Sequence, residues 1–309
     1  MPSPKIIRQL MATFLVALCG ATGAKVVIAA PNPEETSPVR APSLIIAGAP
    51  DTDWRAVRPE NLLILELPSG PVTIELAEQF APGHVANVRK LVTQGFYDNL
   101  AMYRVIDGFV AQGGDQSGQR ETGKAKRTIP AEFTTGAIAA DKFNPIPGPD
   151  GYAEETGFSG GFPAARDPAS GKTWMVHCYG SVAMAREEGA DSGGTDFYIV
   201  IGSAQRYLDR NTTVFGRVIS GMEAVQQLAR GNGPGGLLAE PAVNRIASAR
   251  LASQLPAAER PAAQVMRTDS ASFAELVRSR RNRPESWFRY RPDHTDVCAI
   301  GVPVRFSGN

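Results

Sequence analysis

The sequence predicts a mostly-β chain, a barrel of short strands carrying two helices. Three observations predict it. The 309 residues include 31 glycines and 24 prolines, rich for a helical protein and suited to strands joined by many turns. The apolar runs are short and end on turn-forming residues, and closure is the usual way to manage the edges of so many strands. Before the C-terminal extension only two short stretches carry apolar residues at helical spacing. With 43% hydrophobic residues the chain can bury one sizeable core and still carry appendages. A formal net charge of +1 gives no sign of a nucleic-acid binder.

The elements follow in order. Lys5 and Arg8 precede an apolar run from Leu10 to Leu18 and then small residues. This is the pattern of a signal peptide over 1–29, cut after Ala24 or near Ala29, with an uncleaved anchor as the alternative. A periplasmic or secreted location is expected. Lipidation at Cys19 is disfavoured because Leu18 stands where a small residue is needed. Residues 30–59 read as a Pro- and Ala-rich linker with a short ordered piece at Leu44–Ile46. In "NLLILELPSGPVTIEL" two apolar runs flank Pro68-Ser69-Gly70, which reads as a hairpin. Val85, Val88, Leu91 and Val92 fall at helical spacing and Gly95 supplies the stop. A strand from Ala101 to Ile106 leads into "GFVAQGGD".

Residues 118–176 are turn-rich, lack a clear period and are long for a loop. Strands are expected at Ser181–Ala185, Phe197–Ile201 and Thr213–Val218, and a second helix in "GMEAVQQLAR". "NRIASARLAS" alternates and is expected to close the sheet. In the extension, 251–309, Ser272 and Glu275 form a capping-box signature for a helix reaching about Arg280. "CAIGVPVRF" is a candidate final strand.

Removal of the leader leaves Cys178 and Cys298. They could pair in an oxidising compartment. Two buried free thiols are the favoured reading, because nothing in the sequence places them within bridging distance. His84, His177 and His294 lie far apart without ligand spacing, so no metal site is expected.

From about Glu60 to Arg250 the chain resembles the cyclophilins. Four stretches carry the resemblance, in the family's order: the first hairpin with "APGHVANVRKLVTQGFYDN", then "YRVIDGFVAQGGD", then "GSVAMA" with "TDFYIVIG", and last "YLDRNTTVFGRVISGMEAV". The resemblance implies an eight-stranded antiparallel barrel capped by two helices. It implies peptidyl-prolyl cis/trans isomerisation, with proline-containing polypeptides as partners and no cofactor. It says nothing about the two ends.

The resemblance also implies the site. Arg104 stands at the family's catalytic arginine; on spacing alone it reads rather as an exposed strand arginine in an ion pair. Phe109 matches a proline-pocket phenylalanine and Gln112 a glutamine that holds the peptide backbone and the arginine. Val110 replaces a common Met. Ala185 matches a small residue on the groove floor, and Arg186 replaces a groove Asn. Asp196 replaces a Gln or Glu, and Tyr198 a Phe. Leu208 matches a pocket leucine. Tyr207 replaces a common Trp, expected to cost affinity for cyclosporin more than activity, and Thr212 replaces a common His. Gly113 and Gly114 are expected to serve backbone conformation rather than chemistry.

The expected function is isomerisation of X-Pro bonds in exported proteins. The alternative, motivated by Arg186, Asp196 and Thr212, is a peptide-binding or chaperone protein of the same fold with little turnover. Between Arg278 and Arg291 six arginines and one glutamate interleave with Trp287, Phe288 and Tyr290. This makes a weak membrane-surface contact a candidate, against packing of the aromatics on the barrel. Nucleic acid is not an expected partner of an exported chain, and no sequence feature sets an oligomeric state.

Overall fold

The computed structural model describes residues 39–136 and 138–307. The proposed signal peptide lies outside these residues. In chain order the elements are α1 (Pro42–Ala47), β1 (Trp54–Ala56), β2 (Leu62–Leu67), β3 (Gly70–Leu76), α2 (Pro82–Thr93), β4 (Ala101–Val105) and β5 (Val110–Gly114). Then come β6 (Asn144–Pro145), β7 (Glu155–Ser159), β8 (Phe162–Asp167), β9 (Lys172–Met175), β10 (Ser181–Met184), β11 (Phe197–Val200), β12 (Val214–Ser220) and α3 (Met222–Gln226). The chain ends with β13 (Ser248–Leu251), β14 (Ala262–Met266), α4 (Ala271–Asn282) and β15 (Val304–Ser307).

Eight antiparallel strands form one curled sheet in the order β13-β2-β3-β12-β10-β11-β5-β4. Alternation decides its two faces. Leu63, Leu65, Ile74, Ala111, Val182, Phe197 and Ile199 point inward and share one core. Val85, Val88, Leu91 and Val92 of α2 and Ala224 and Val225 of α3 close it. The sheet does not close by a continuous ladder. Its outer strand β4 meets the segment before β13 through bridges Ala101↔Arg245 and Arg104↔Leu237. Further backbone bonds run from Gly231 N to Val105 O (2.9 Å) and from Leu238 N to Tyr103 O (2.9 Å). α3 stops at Gln226, short of Arg230, because the chain leaves the helix to make these bridges.

Three expectations are corrected. Residues 118–176 hold a four-stranded antiparallel sheet, β6-β7-β8-β9. One of its faces, with Phe162, Ala164 and Met175, packs on outward-facing Val110, Ala183, Tyr198 and Val200. The other, with Phe158, Ala165 and Trp174, packs against the extension. Burial on both sides removes the alternation that marks a strand in sequence. Second, the described part of the linker segment is ordered. Ile45 of α1 and Trp54 of β1 join Phe273 and Leu276 of α4 in one core, and β1, β14 and β15 form a three-stranded sheet. Third, Cys178 and Cys298 are joined by a disulfide. Folding of the extension onto the barrel brings together two residues that sequence separation kept apart. A smaller change concerns α4. Its cap is Ser270, whose hydroxyl accepts from Phe273 N at 3.2 Å, while Glu275 pairs with Arg40.

Candidate functional site

The site lies on the outer face of β4, β5, β10 and β11. In the β4–β5 ladder Arg104 stands opposite Gln112, so two polar side chains project from one spot. Arg104 Nε donates to Gly235 O at 2.7 Å and Nη1 to Gln112 Oε1 at 3.0 Å. Nη2 makes no hydrogen bond among the described residues. The guanidinium carbon lies 6.0 Å from the Phe109 ring centroid. Two bonds thus fix the guanidinium plane and leave one nitrogen free to donate.

A second tier supports Gln112. Its Nε2 donates to Tyr103 Oη at 2.6 Å, and that hydroxyl donates to Asp196 Oδ2 at 2.7 Å. Asp196 Oδ1 accepts from Asp115 N at 3.0 Å. Burial pushes the Asp196 carboxyl up from its ordinary range against the Tyr103 bond. Burial and the Asp196 charge both push the Tyr103 hydroxyl up. Asp196 is therefore committed to the second tier, not to an open groove.

The glycines that follow are required by space. A Cβ on Gly113 would stand 2.5 Å from Met102 Sδ. Gly114 has φ +140°, and a Cβ there would stand 2.4 Å from Asp196 Oδ1. The bend is the shape that lets Asp196 approach β5.

Phe109, Val110, Ala185, Tyr198 and Leu208 share one apolar cluster beside Arg104. Val110 is buried beneath it, while Phe109, Ala185 and Leu208 are half-exposed. Tyr207 is exposed. Thr212 Oγ1 lies 2.6 Å from Tyr198 Oη. Arg186 is half-exposed and bound to the backbone: Nε donates to Asn211 O at 2.8 Å and Nη1 to the carbonyls of Glu187 and Glu188. The structure thus gathers Arg104, Phe109, Gln112, Ala185, Leu208 and Thr212 around one surface, with Tyr198 buried against Thr212 beneath it, and sets Val110, Arg186 and Asp196 behind or beside it. Sequence reasoning missed Tyr103, Gly235 and His177. Tyr103 flanks Arg104 in the motif and was within reach; Gly235 and His177 arrive only through tertiary contact.

Comparison with known proteins identifies the family. Residues 62–249, more than half of the chain, match the family described as cyclophilin type peptidyl-prolyl cis-trans isomerase/CLD. The chain is 33% identical over 178 residues to a protein of Brucella suis named "Probable peptidyl-prolyl cis-trans isomerase", covering 57% of this chain and 76% of that one. It is 35% identical over 161 residues to peptidyl-prolyl cis-trans isomerase B of Bacillus subtilis, covering 52% and 85%. Among solved structures, cyclophilin AquaCyp293 from Hirschia baltica superposes with a TM-score of 0.66 at 32% identity, over 83% of this chain and 94% of that one. That coverage reaches beyond the family match, into the appended segments. The chain belongs to the cyclophilin-type peptidyl-prolyl cis-trans isomerases, and its activity is rotation of the peptide bond that precedes proline.

Proposed function

We propose that Arg104 is the catalytic group, that Phe109, Tyr198 and Leu208 receive the proline ring, and that Gln112 holds the substrate backbone and the arginine. The peptide bond resists rotation by about 18–20 kcal/mol because resonance gives it double-bond character. In the twisted state resonance is lost and the prolyl nitrogen becomes an acceptor. A donor held beside that nitrogen stabilises the twisted state more than the planar one, which is what lowers the barrier. The observation that carries this reading is the Arg104 guanidinium, pinned at Nε and Nη1 with Nη2 unused. No nucleophile or cofactor enters the step. Exchange NMR on a prolyl tetrapeptide tests it: the full chain should accelerate cis/trans exchange, and peptide binding without faster exchange would refute it.

We further propose that the substrates are exported proteins. The Lys5-to-Ala24 pattern supports this, as does the Cys178–Cys298 disulfide, since such bonds persist in oxidising compartments. Recovery of the cell-associated protein only in the cytosol, with residues 1–29 intact, would refute it.

The arginine-aromatic segment supports a weak contact with an anionic membrane surface. Trp287 and Tyr290 are 80% and 78% exposed, and arginines surround them. Failure to bind phosphatidylglycerol vesicles at low salt would refute this contact.

A further inference from the structure

We propose that His177 is a positioning residue for the isomerase site. It holds the hydroxyls of Tyr198 and Thr212, and is itself held by a buried charged chain that starts in the inserted segment. This rests on the reading of Tyr198 as a wall of the proline pocket.

His177 is fully buried. Its Nε2 lies 3.0 Å from Tyr198 Oη and 3.0 Å from Thr212 Oγ1. Those two oxygens are 2.6 Å apart, so the three atoms close a triangle. The His177 and Tyr198 rings stack with an interplanar angle of 16°. On the other side of the imidazole, Nδ1 lies 2.9 Å from Asp209 Oδ1. A carboxylate only accepts, so Nδ1 carries a proton, and in the neutral ring Nε2 is left as the acceptor for a hydroxyl. Asp209 Oδ2 accepts from Arg206 Nε at 2.6 Å. The two terminal nitrogens of Arg206 reach Asp150 at 2.9 and 3.0 Å. Asp150 lies between β6 and β7, in the insertion. Less than a tenth of each of the Arg206, Asp150 and Asp209 side chains is exposed.

The chain explains two departures from the family pattern together. A buried tyrosine in place of phenylalanine brings a hydroxyl that needs a partner. Thr212 and His177 supply it, and Tyr198 in turn serves Thr212. Tyr198, Thr212 and His177 are therefore one unit, and the insertion reaches the pocket wall through Asp150 and Arg206.

The test is a double-mutant cycle in the full chain. His177→Leu should raise KM for a prolyl tetrapeptide about five-fold, the effect of one net hydrogen bond, with kcat within about two-fold. In a Tyr198→Phe/Thr212→Val background the same change should move KM less than about two-fold. An equal KM effect in both backgrounds, or none in the parent, overturns the proposal. His177→Gln, which keeps a polar group, should recover most of the lost affinity; no recovery overturns it too. A readout independent of catalysis is a slowly exchanging hydroxyl proton with an NMR cross-peak to the His177 ring, present in the parent and lost in His177→Gln and His177→Leu. Its absence in the parent overturns the proposal even if turnover is normal. Full turnover in Arg104→Ala with that cross-peak present would instead count against the catalytic reading alone.

Discussion

Replacing Arg104 tests the catalytic role proposed for it. Nε and Nη1 hold the group to Gly235 O at 2.7 Å and to Gln112 Oε1 at 3.0 Å, and Nη2 is the donor proposed above for the twisted amide. Arg104→Ala removes donor and scaffold together. Loss of one preorganised donor costs about 10²–10³ in kcat. The group is half-exposed, so water screens it and the lower end applies: about 100-fold, or about 2.7 kcal/mol at roughly 1.36 kcal/mol per decade. Arg104→Lys keeps the charge but not the fork, since one ammonium cannot span Gly235 and Gln112 and still face the substrate. It should lose about 10- to 30-fold, less than the alanine variant because a point charge remains. KM should change little in both, because the planar amide nitrogen hardly accepts. Stability should fall by about 1 kcal/mol, two partly exposed hydrogen bonds, a few degrees in Tm at this chain length. Exchange NMR on a prolyl tetrapeptide gives the rates and thermal unfolding gives Tm. An alanine variant with turnover within about three-fold of the parent, at unchanged fold, would sink the mechanism.

Gly114→Ala should destabilise by about 2–4 kcal/mol, because its φ is +140° and the new Cβ would stand 2.4 Å from Asp196 Oδ1; a urea midpoint equal to the parent's would show that the bend is not needed. Burial pushes the Asp150 carboxyl up, but hydrogen bonds and charge from Arg206, with the Tyr152 and Ala153 amides, hold it below its ordinary range. Its stabilising effect is therefore present above the unfolded pKa of about 3.9 and is lost as pH falls through the lower folded value. Asp150→Asn should cost about 1–3 kcal/mol at pH 7, with a deficit that closes below about pH 4; a deficit that widens in acid contradicts this. Cys298→Ser should cost about 2–4 kcal/mol, since the disulfide closes a long loop across a sequence separation of 120. The variant should then be insensitive to dithiothreitol, and mass-spectrometric labelling of Cys178 and Cys298 as free thiols in the unreduced parent would refute the pairing.

Legibility in the sequence followed physical cause. The β2–β3 hairpin was legible because Pro68-Ser69-Gly70 breaks two apolar runs. Helix α2 was legible because only one of its faces is buried. The β7–β8 hairpin was missed although Gly160-Gly161, both at positive φ, is a hairpin signal. Strands buried on both faces do not alternate, and the turn was lost in a stretch rich in Gly and Pro. α1 has six residues, too few to show a period, and is held by packing against α4. Ser272 and Glu275 matched a capping box, but the extended backbone at Ser270 placed the cap two residues earlier.

The sequence alone determined the strands of the eight-stranded sheet, α2 and the cluster of Arg104, Phe109 and Gln112, because local periodicity and a short contiguous motif encode them. Tertiary structure alone decided that the insertion packs on the outer face, that the extension is tied to the barrel at Cys178, and that Arg186 and Asp196 turn to internal partners. It also decided that a histidine without ligand spacing stands behind Tyr198 and Thr212. Each of these depends on pairing residues tens of positions apart, which periodicity cannot encode and packing with burial of polar groups can.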